Sequence, residues 1–233
     1  MKVVEKKIVK DSLDCYVFNA TSIRDKLPQF NSHFSGQDFD VISVTETWLT
    51  ESVFDNEVLT TGQYKIFRRD RSLDTVPDKK DGGGVILAVL SSLSAKRRRD
   101  LEDKLEIVWV EVQLSQHRKA FIGTVYINYP DINTLQALEC SLDKVSTTAK
   151  PNDVIMCFGD FNSRDILWKV NDGDKYASVT NISSLCTVSD RLLEVMDSHN
   201  LHQFNCNATC NDNVLDLAFG NNVTMDISIA EKA

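Results

Sequence analysis

The sequence is short of several things, and each shortage narrows what the chain can do. No apolar run approaches the roughly 18–20 residues that cross a bilayer. The N-terminus, M-K-V-V-E-K-K-I-V-K, has no apolar stretch of about 7–15 residues and does not read as a secretory leader. The expected compartment is therefore intracellular, nuclear or cytoplasmic. Positive charge is outweighed: 26 Lys and Arg face 34 Asp and Glu, a formal net charge of −8. That argues against a broad basic face for nucleic acid. It leaves room for an enzyme whose carboxylates hold a metal ion against a phosphate. The glycines Gly82 to Gly84 have no G-K-[ST] after them, so they are not a P-loop. Nothing resembles a Ser-His-Asp or Cys-His nucleophile arrangement.

The six cysteines are scattered, and without a leader reduced thiols are the expected state. Cys206 and Cys210, in C-N-A-T-C, lack a second ligand pair; buried small hydrophobes are a better reading than zinc. Asn19, Asn181, Asn207 and Asn222 fit the glycosylation sequon, which matters only in a secreted chain.

What is present suits one α/β domain: 233 residues, 42% of them hydrophobic, are enough for a sizeable core. Apolar runs alternate with helical spacing. Strands are expected at Asp14–Ala20, Asp40–Val44, Tyr64–Arg68, Gly84–Leu90, Val154–Phe158, Leu201–Cys206 and Val214–Phe219. Leu105–Leu114 and Lys119–Tyr126 read as a hairpin turned at Gln116-His117-Arg118. A helix should open at Ser22, with Ile23, Leu27, Phe30 and Phe34 inward. Another should be capped by Asn133 or Thr134, and a third by Ser189. Asp70–Gly83 is the most polar segment and reads as a surface excursion. Lys96–Arg99 (K-R-R-R) reads as a solvated turn. The mixture of hairpins and αβ units suggests a mixed sheet, or two packed sheets with helices outside.

The chemistry-bearing candidates sit at strand ends. M-C-F-G-D-F-N-S ends an apolar run on Asp160 and Asn162, two residues apart and so on one side of the sheet edge. A carboxylate there can take a proton from water, and an amide can donate to a phosphate. Read alone, the pair also fits an Asx turn. Glu46 follows V-I-S-V, where a carboxylate suits a hard cation such as Mg²⁺; an exposed turn residue fits equally. Asn19 precedes a helix start, which favours phosphate, or serves as a cap. Tyr126 lies on a strand as a core or rim aromatic. Asp216 interrupts the apolar strand V-L-D-L-A-F and needs a partner there.

Taken together, V-F-N-A-T-S-I-R-D-K, D-V-I-S-V-T-E-T-W-L, D-G-G-G-V-I-L-A-V, A-F-I-G-T-V-Y, V-I-M-C-F-G-D-F-N and N-V-L-D-L-A-F, in this order, resemble the endonuclease/exonuclease/phosphatase superfamily. The nearer likeness is to the endonuclease domains of non-LTR retrotransposons. T-E-T-W-L and G-D-F-N in this order are specific; either alone is weak. The resemblance implies a four-layered, DNase I-like α/β sandwich of two mixed sheets flanked by helices, one domain over residues 1–233. It implies hydrolysis of DNA phosphodiesters with Mg²⁺ or Mn²⁺, in a setting associated with reverse transcriptase. By resemblance Glu46 is the metal ligand, and Asn19 fixes the metal or the phosphate. Asp160 orients or deprotonates water. Asn162 and Tyr126 hold the phosphate, and Asp216 pairs with a histidine.

That histidine belongs to a Ser-Asp-His triplet shortly after the L-D-L-A-F strand. Here the chain reads N-N-V-T-M-D-I-S-I-A-E-K-A, and no histidine follows His202. The resemblance thus implies a C-terminally incomplete domain, lacking its last strand, with impaired or lost activity. The alternatives are an inactive relic, a non-catalytic binding domain, or a small-molecule or lipid phosphatase of the same superfamily. The sequence names no protein partner and no oligomeric state.

Overall fold

The computed structural model describes residues 12–72, 81–209 and 213–229. In chain order the elements are β1 (Cys15–Asn19), α1 (Leu27–Phe34), β2 (Val41–Thr45), α2 (Asp55–Val58), β3 (Tyr64–Arg69), β4 (Val85–Leu90), β5 (Ala95–Arg97), β6 (Glu106–Ser115), β7 (Arg118–Tyr126), α3 (Ile132–Thr148), β8 (Val154–Asp160), β9 (Trp168–Lys169), β10 (Ser178–Val179), α4 (Thr187–Ser198), β11 (His202–Gln203) and β12 (Asp216–Asn221). One mixed sheet runs β1-β2-β4-β3 and a second runs β11-β12-β8-β7-β6-β5.

Alternation along the strands dictates the layering, because successive side chains leave opposite faces. Val108, Val110 and Val112 of β6, Ile122 of β7, and Met156 and Phe158 of β8 face Val85, Leu87 and Val89 of β4 between the sheets. The odd-numbered set, Ile107, Trp109, Phe121, Ile155 and Phe219, packs outward on Leu135, Leu138 and Leu142 of α3 and Leu192 of α4. On the far side Ile42, Val44 and Ile86 pack on Phe30 and Phe34 of α1. The result is helix, sheet, sheet, helix: the four-layered DNase I-like α/β sandwich. Between the sheets the Ser43 and Thr124 hydroxyls share a buried 2.8 Å hydrogen bond.

Several local expectations need correction. The first helix does not open at Ser22. Ala20, Ser22 and Ile23 instead donate their N–H groups to the carbonyls of Thr45, Glu46 and Thr47, prolonging the β1–β2 ladder irregularly. The helix begins five residues later, with proline in its first turn. α3 is capped by Asp131, whose carboxylate accepts from the Thr134 N–H, 2.7 Å. α4 starts before Ser189, capped by the Cys186 sulfur. Lys96 and Arg97 are not in a turn: they form β5 against Glu111 and Val110. Only His202 and Gln203 of the expected strand Leu201–Cys206 pair. Cys206 is exposed rather than buried, while Cys210 and residues 73–80 of the polar loop lie outside the described residues. Among the described residues no helix is long and apolar enough to cross a membrane.

Candidate active site

Register assembles half of the site. Glu106 lies opposite Tyr126, Tyr126 beside Asp160, and Asp160 opposite Asp216. Paired residues share a face, so four functional side chains stand in a row across β6, β7, β8 and β12 at the rim of the second sheet. The first sheet delivers Asn19 at the end of β1 and Glu46 just past β2, whose partners run Asn19 to Thr45.

The two halves meet through one amide. Asn19 Nδ2 donates to Glu46 Oε1 at 2.9 Å and to Asp160 Oδ2 at 2.8 Å. Its Oδ1 is turned the other way, accepting from the Thr21 N–H at 3.0 Å. Asp160 Oδ1 accepts the Asn162 backbone N–H, 2.9 Å. Asn162 Nδ2 donates to the Ile127 carbonyl, 2.8 Å. The Tyr126 hydroxyl donates to Asn128 Oδ1 at 3.2 Å. Asn19, Glu46, Asp160, Asn162 and Asp216 all line one groove of about 1740 Å³, which also runs beside β1 and residues 222–229.

The loops that hold these groups adopt backbone that side chains rarely choose. Glu46 (φ 51°), Trp48 (φ 55°) and Asn162 (φ 51°) are all left-handed. Such residues persist where surrounding contacts over-determine them. Trp48 Nε1 donates to Glu46 Oε2, 3.3 Å, and its N–H bonds the Gly83 carbonyl, 2.9 Å. The glycine of G-D-F-N is required by space: a Cβ on Gly159 would lie 1.9 Å from the Val125 carbonyl oxygen of the neighbouring parallel strand.

Electrostatics sets the protonation. Burial raises the Asp160 carboxyl to about 7, with Asp216 adding to the rise; the Asn162 N–H and the Asn19 amide oppose it. Asp216 is also raised by burial, against a hydrogen bond from Thr209. Its Oδ1 is buried with no hydrogen-bond partner among the described residues. Burial, then Glu46, pushes the Tyr126 phenol above its ordinary range, so it remains a donor.

A family model described as endonuclease-reverse transcriptase matches residues 120–232. That stretch is just under half of the chain, and the fold around it is the one shared by endonuclease/exonuclease/phosphatase proteins. The endonuclease domain of TRAS1, a telomere-specific non-LTR retrotransposon, is similar in structure (TM-score 0.58, 11% identity, covering 89% of this chain and 84% of that one). So are the AP endonuclease LMAP from Leishmania major (0.59, 14%, 85% and 74%) and the 3' phosphatase NExo from Neisseria, bound to a product DNA hairpin (0.51, 13%, 90% and 86%). No curated protein matches the sequence. At these identities the structural likeness is one of fold.

Within this superfamily fold, sequence reasoning missed one pair. Arg71 and Glu106 form a bidentate ion pair, Nε to Oε1 at 3.1 Å and Nη2 to Oε2 at 2.9 Å. Their side chains are only 3% and 2% exposed. The guanidinium sits 5.6 Å from the Tyr126 ring centroid. Glu106 also accepts the Gly84 N–H, 3.0 Å, and a Cβ on Gly83 would lie 2.3 Å from Arg71 Nη2. The triple glycine thus makes room for a buried arginine. Its one signal in the sequence is Glu106 itself, an acid on the face that Val108, Val110 and Val112 bury.

Among the described residues no group of three His, Cys, Asp or Glu side chains is placed to hold a cation. The donor set still suits Mg²⁺, which takes one or two carboxylates and keeps its waters: Glu46 Oε2 accepts a long 3.3 Å bond from Trp48, and the groove is rich in carboxylates. Three of the four histidines are engaged elsewhere. His199 Nε2 pairs with Asp143 at 3.0 Å, His33 packs on Phe34 at 4.7 Å, and His202 stacks on Tyr176 at 4.1 Å.

Proposed function

We propose that this chain is a retrotransposon-type endonuclease domain acting on DNA phosphodiester bonds with a divalent cation, Mg²⁺ or Mn²⁺. The observation that carries the reading is the Asn19 amide joining Glu46 and Asp160 across the two sheets. Support for DNA comes from what the neighbours are: a retrotransposon endonuclease domain, an AP endonuclease and a DNA-bound phosphatase.

In this reading Glu46 holds the cation. When bound, the cation neutralises phosphate charge in a carboxylate-lined groove and eases deprotonation of water. Asp160 takes the proton of the attacking water, its carboxyl being poised near neutrality as a general base requires. Asn19 bridges the two carboxylates and fixes their oxygens. Tyr126 and Asn162 donate to phosphate oxygens as charge develops there, where preorganised donors contribute most to rate. Arg71, held by Glu106, adds positive charge beside the Tyr126 ring.

Asp216 favours a second reading, that turnover is slow or absent. Among the described residues its buried oxygen has no donor, and none of the histidines bonds it. A missing member of a catalytic set costs powers of ten in rate. Nicking of supercoiled plasmid with Mg²⁺ decides between the two. Relaxation abolished by EDTA and by Asp160→Ala supports the nuclease. Equal nicking by the variant rejects this assignment of the site, and no nicking by the parent protein favours the silent domain.

A further inference from the structure

On the side of the sandwich away from β1, the edges of the two sheets enclose a shallow cavity of about 570 Å³ lined by Arg68, Arg69, Arg97, Arg99, Glu102, Asp103, Lys104 and Lys144. Six cationic side chains face two carboxylates there, in a chain whose formal net charge is −8. Such a concentration of one sign is a local field that the overall composition conceals.

The two acids act as struts. Glu102 grips Arg97 through Nε at 2.9 Å and Nη2 at 3.0 Å. Asp103 takes Lys144 Nζ at 2.7 Å. Burial holds the Arg69 guanidinium below its ordinary range; Glu102 opposes this and Arg97 adds to it. Arg99 and Lys104 are exposed, and neither makes an ion pair among the described residues.

The two segments that line the cavity lead on to the active site. Arg69 Nη1 donates to the Asp103 carbonyl, 2.7 Å. Two and three residues further along the same two segments, Arg71 pairs with Glu106 beside Tyr126. These are two rungs of one clamp. Arg69 and Arg71 are two positions apart, about 7 Å on extended chain, so the cavity lies beside the Arg71–Glu106 pair.

We propose that this cavity binds a phosphate of the DNA backbone flanking the one to be cleaved, and so sets how the duplex lies across the site. The inference deepens the nuclease reading and rests on it. Arg99 and Lys104 are the phosphate contacts, and Arg69 and Arg97 supply positive field beneath them.

The test is binding of a short duplex labelled with a fluorophore, measured by anisotropy in EDTA over a series of salt concentrations. Arg99→Ala with Lys104→Ala removes two exposed side chains that make no ion pair, and thermal melting checks that the variant is folded. Binding should weaken about tenfold, and the slope of log affinity against log salt should flatten by about 2. Lys96→Ala, an exposed cation on β5 outside the cavity, should leave both unchanged. Unchanged binding and slope in the double variant overturn the inference, whether or not the protein nicks DNA. Loss of binding in a protein that never nicks upholds it and removes only the catalytic reading. A parent protein that does not bind the duplex overturns it. So does saturable binding of inorganic phosphate that the double variant loses while duplex binding stays unchanged, because that marks a free-anion site.

Discussion

Asp216 stands directly opposite Asp160 across the antiparallel β12–β8 pair, so a half-buried carboxyl faces a buried one at the mouth of the groove. Like charges at this spacing cannot both ionise cheaply. Burial first, and then this neighbour, let Asp160 hold its proton to about 7.

A pH dependence of stability follows. Asp160 is 4% exposed. Its carboxyl titrates near 7 when folded and near 3.9 when unfolded. Between those values the native state binds more protons than the unfolded state, so stability falls as pH rises, by up to about 4 kcal/mol, and levels off above pH 7. Asp216, also raised, acts with the same sign. Asp100 and Asp103 are held low, first by Arg98 and Lys144 respectively, and titrate below this window. Urea unfolding in EDTA from pH 4 to pH 8 reads this directly; stability flat or rising over that range contradicts the assignment.

Asn19→Ala removes the amide between Glu46 and Asp160 without touching the core. Nicking should fall by about 10²–10³, as when one preorganised donor is lost from an active site. The midpoint of thermal unfolding should change by only a few degrees. Full activity in this variant leaves the amide bridge without a catalytic role.

Gly159→Ala places a Cβ 1.9 Å from the Val125 carbonyl oxygen, at φ 139°. The strand must move, and a loss of about 3 kcal/mol or more is expected. Gly36→Ala is the comparison. That glycine also has positive φ (82°) but nothing within 4 Å, so its cost should stay at about 1–2 kcal/mol. Equilibrium unfolding of both proteins separates collision from backbone preference.

Glu106→Ala should cost about 3–5 kcal/mol, because it leaves the Arg71 guanidinium buried and unpaired. Replacing both partners, Arg71→Met with Glu106→Leu, should restore much of that stability while nicking stays low. A double-mutant cycle read by unfolding and by plasmid relaxation tests both halves.

The sheets and the polar strand ends were legible because burial of both faces writes near-continuous apolar runs, and each run stops where its carboxylate or amide begins. Asn19, Glu46, Asp160 and Asn162 stood out by that stop and Asp216 by interrupting such a run, and only the order of the motifs together set them apart from caps and turns. Arg71 could not. It sits in the most polar stretch of the chain, and only its bond to Glu106, 35 residues away, carries it inward. β9, β10 and β11, two residues each, are too short to show a period. The first helix was misplaced because Thr21 and Ser22 take positive φ, and residues 20–23 bond to β2 and the loop after it instead of to their own next turn.

Asn19 and Glu46 ride on one sheet, while Asp160, Tyr126 and Asp216 ride on the other. The distances within the site therefore gauge how the two halves of the sandwich sit on each other, pinned midway by the Ser43–Thr124 hydroxyl bond. Warming that lets the halves slide by an ångström parts the amide from its carboxylates before any strand leaves its sheet. Catalysis should thus fade several degrees below the melting of the sandwich, with far-ultraviolet dichroism still intact.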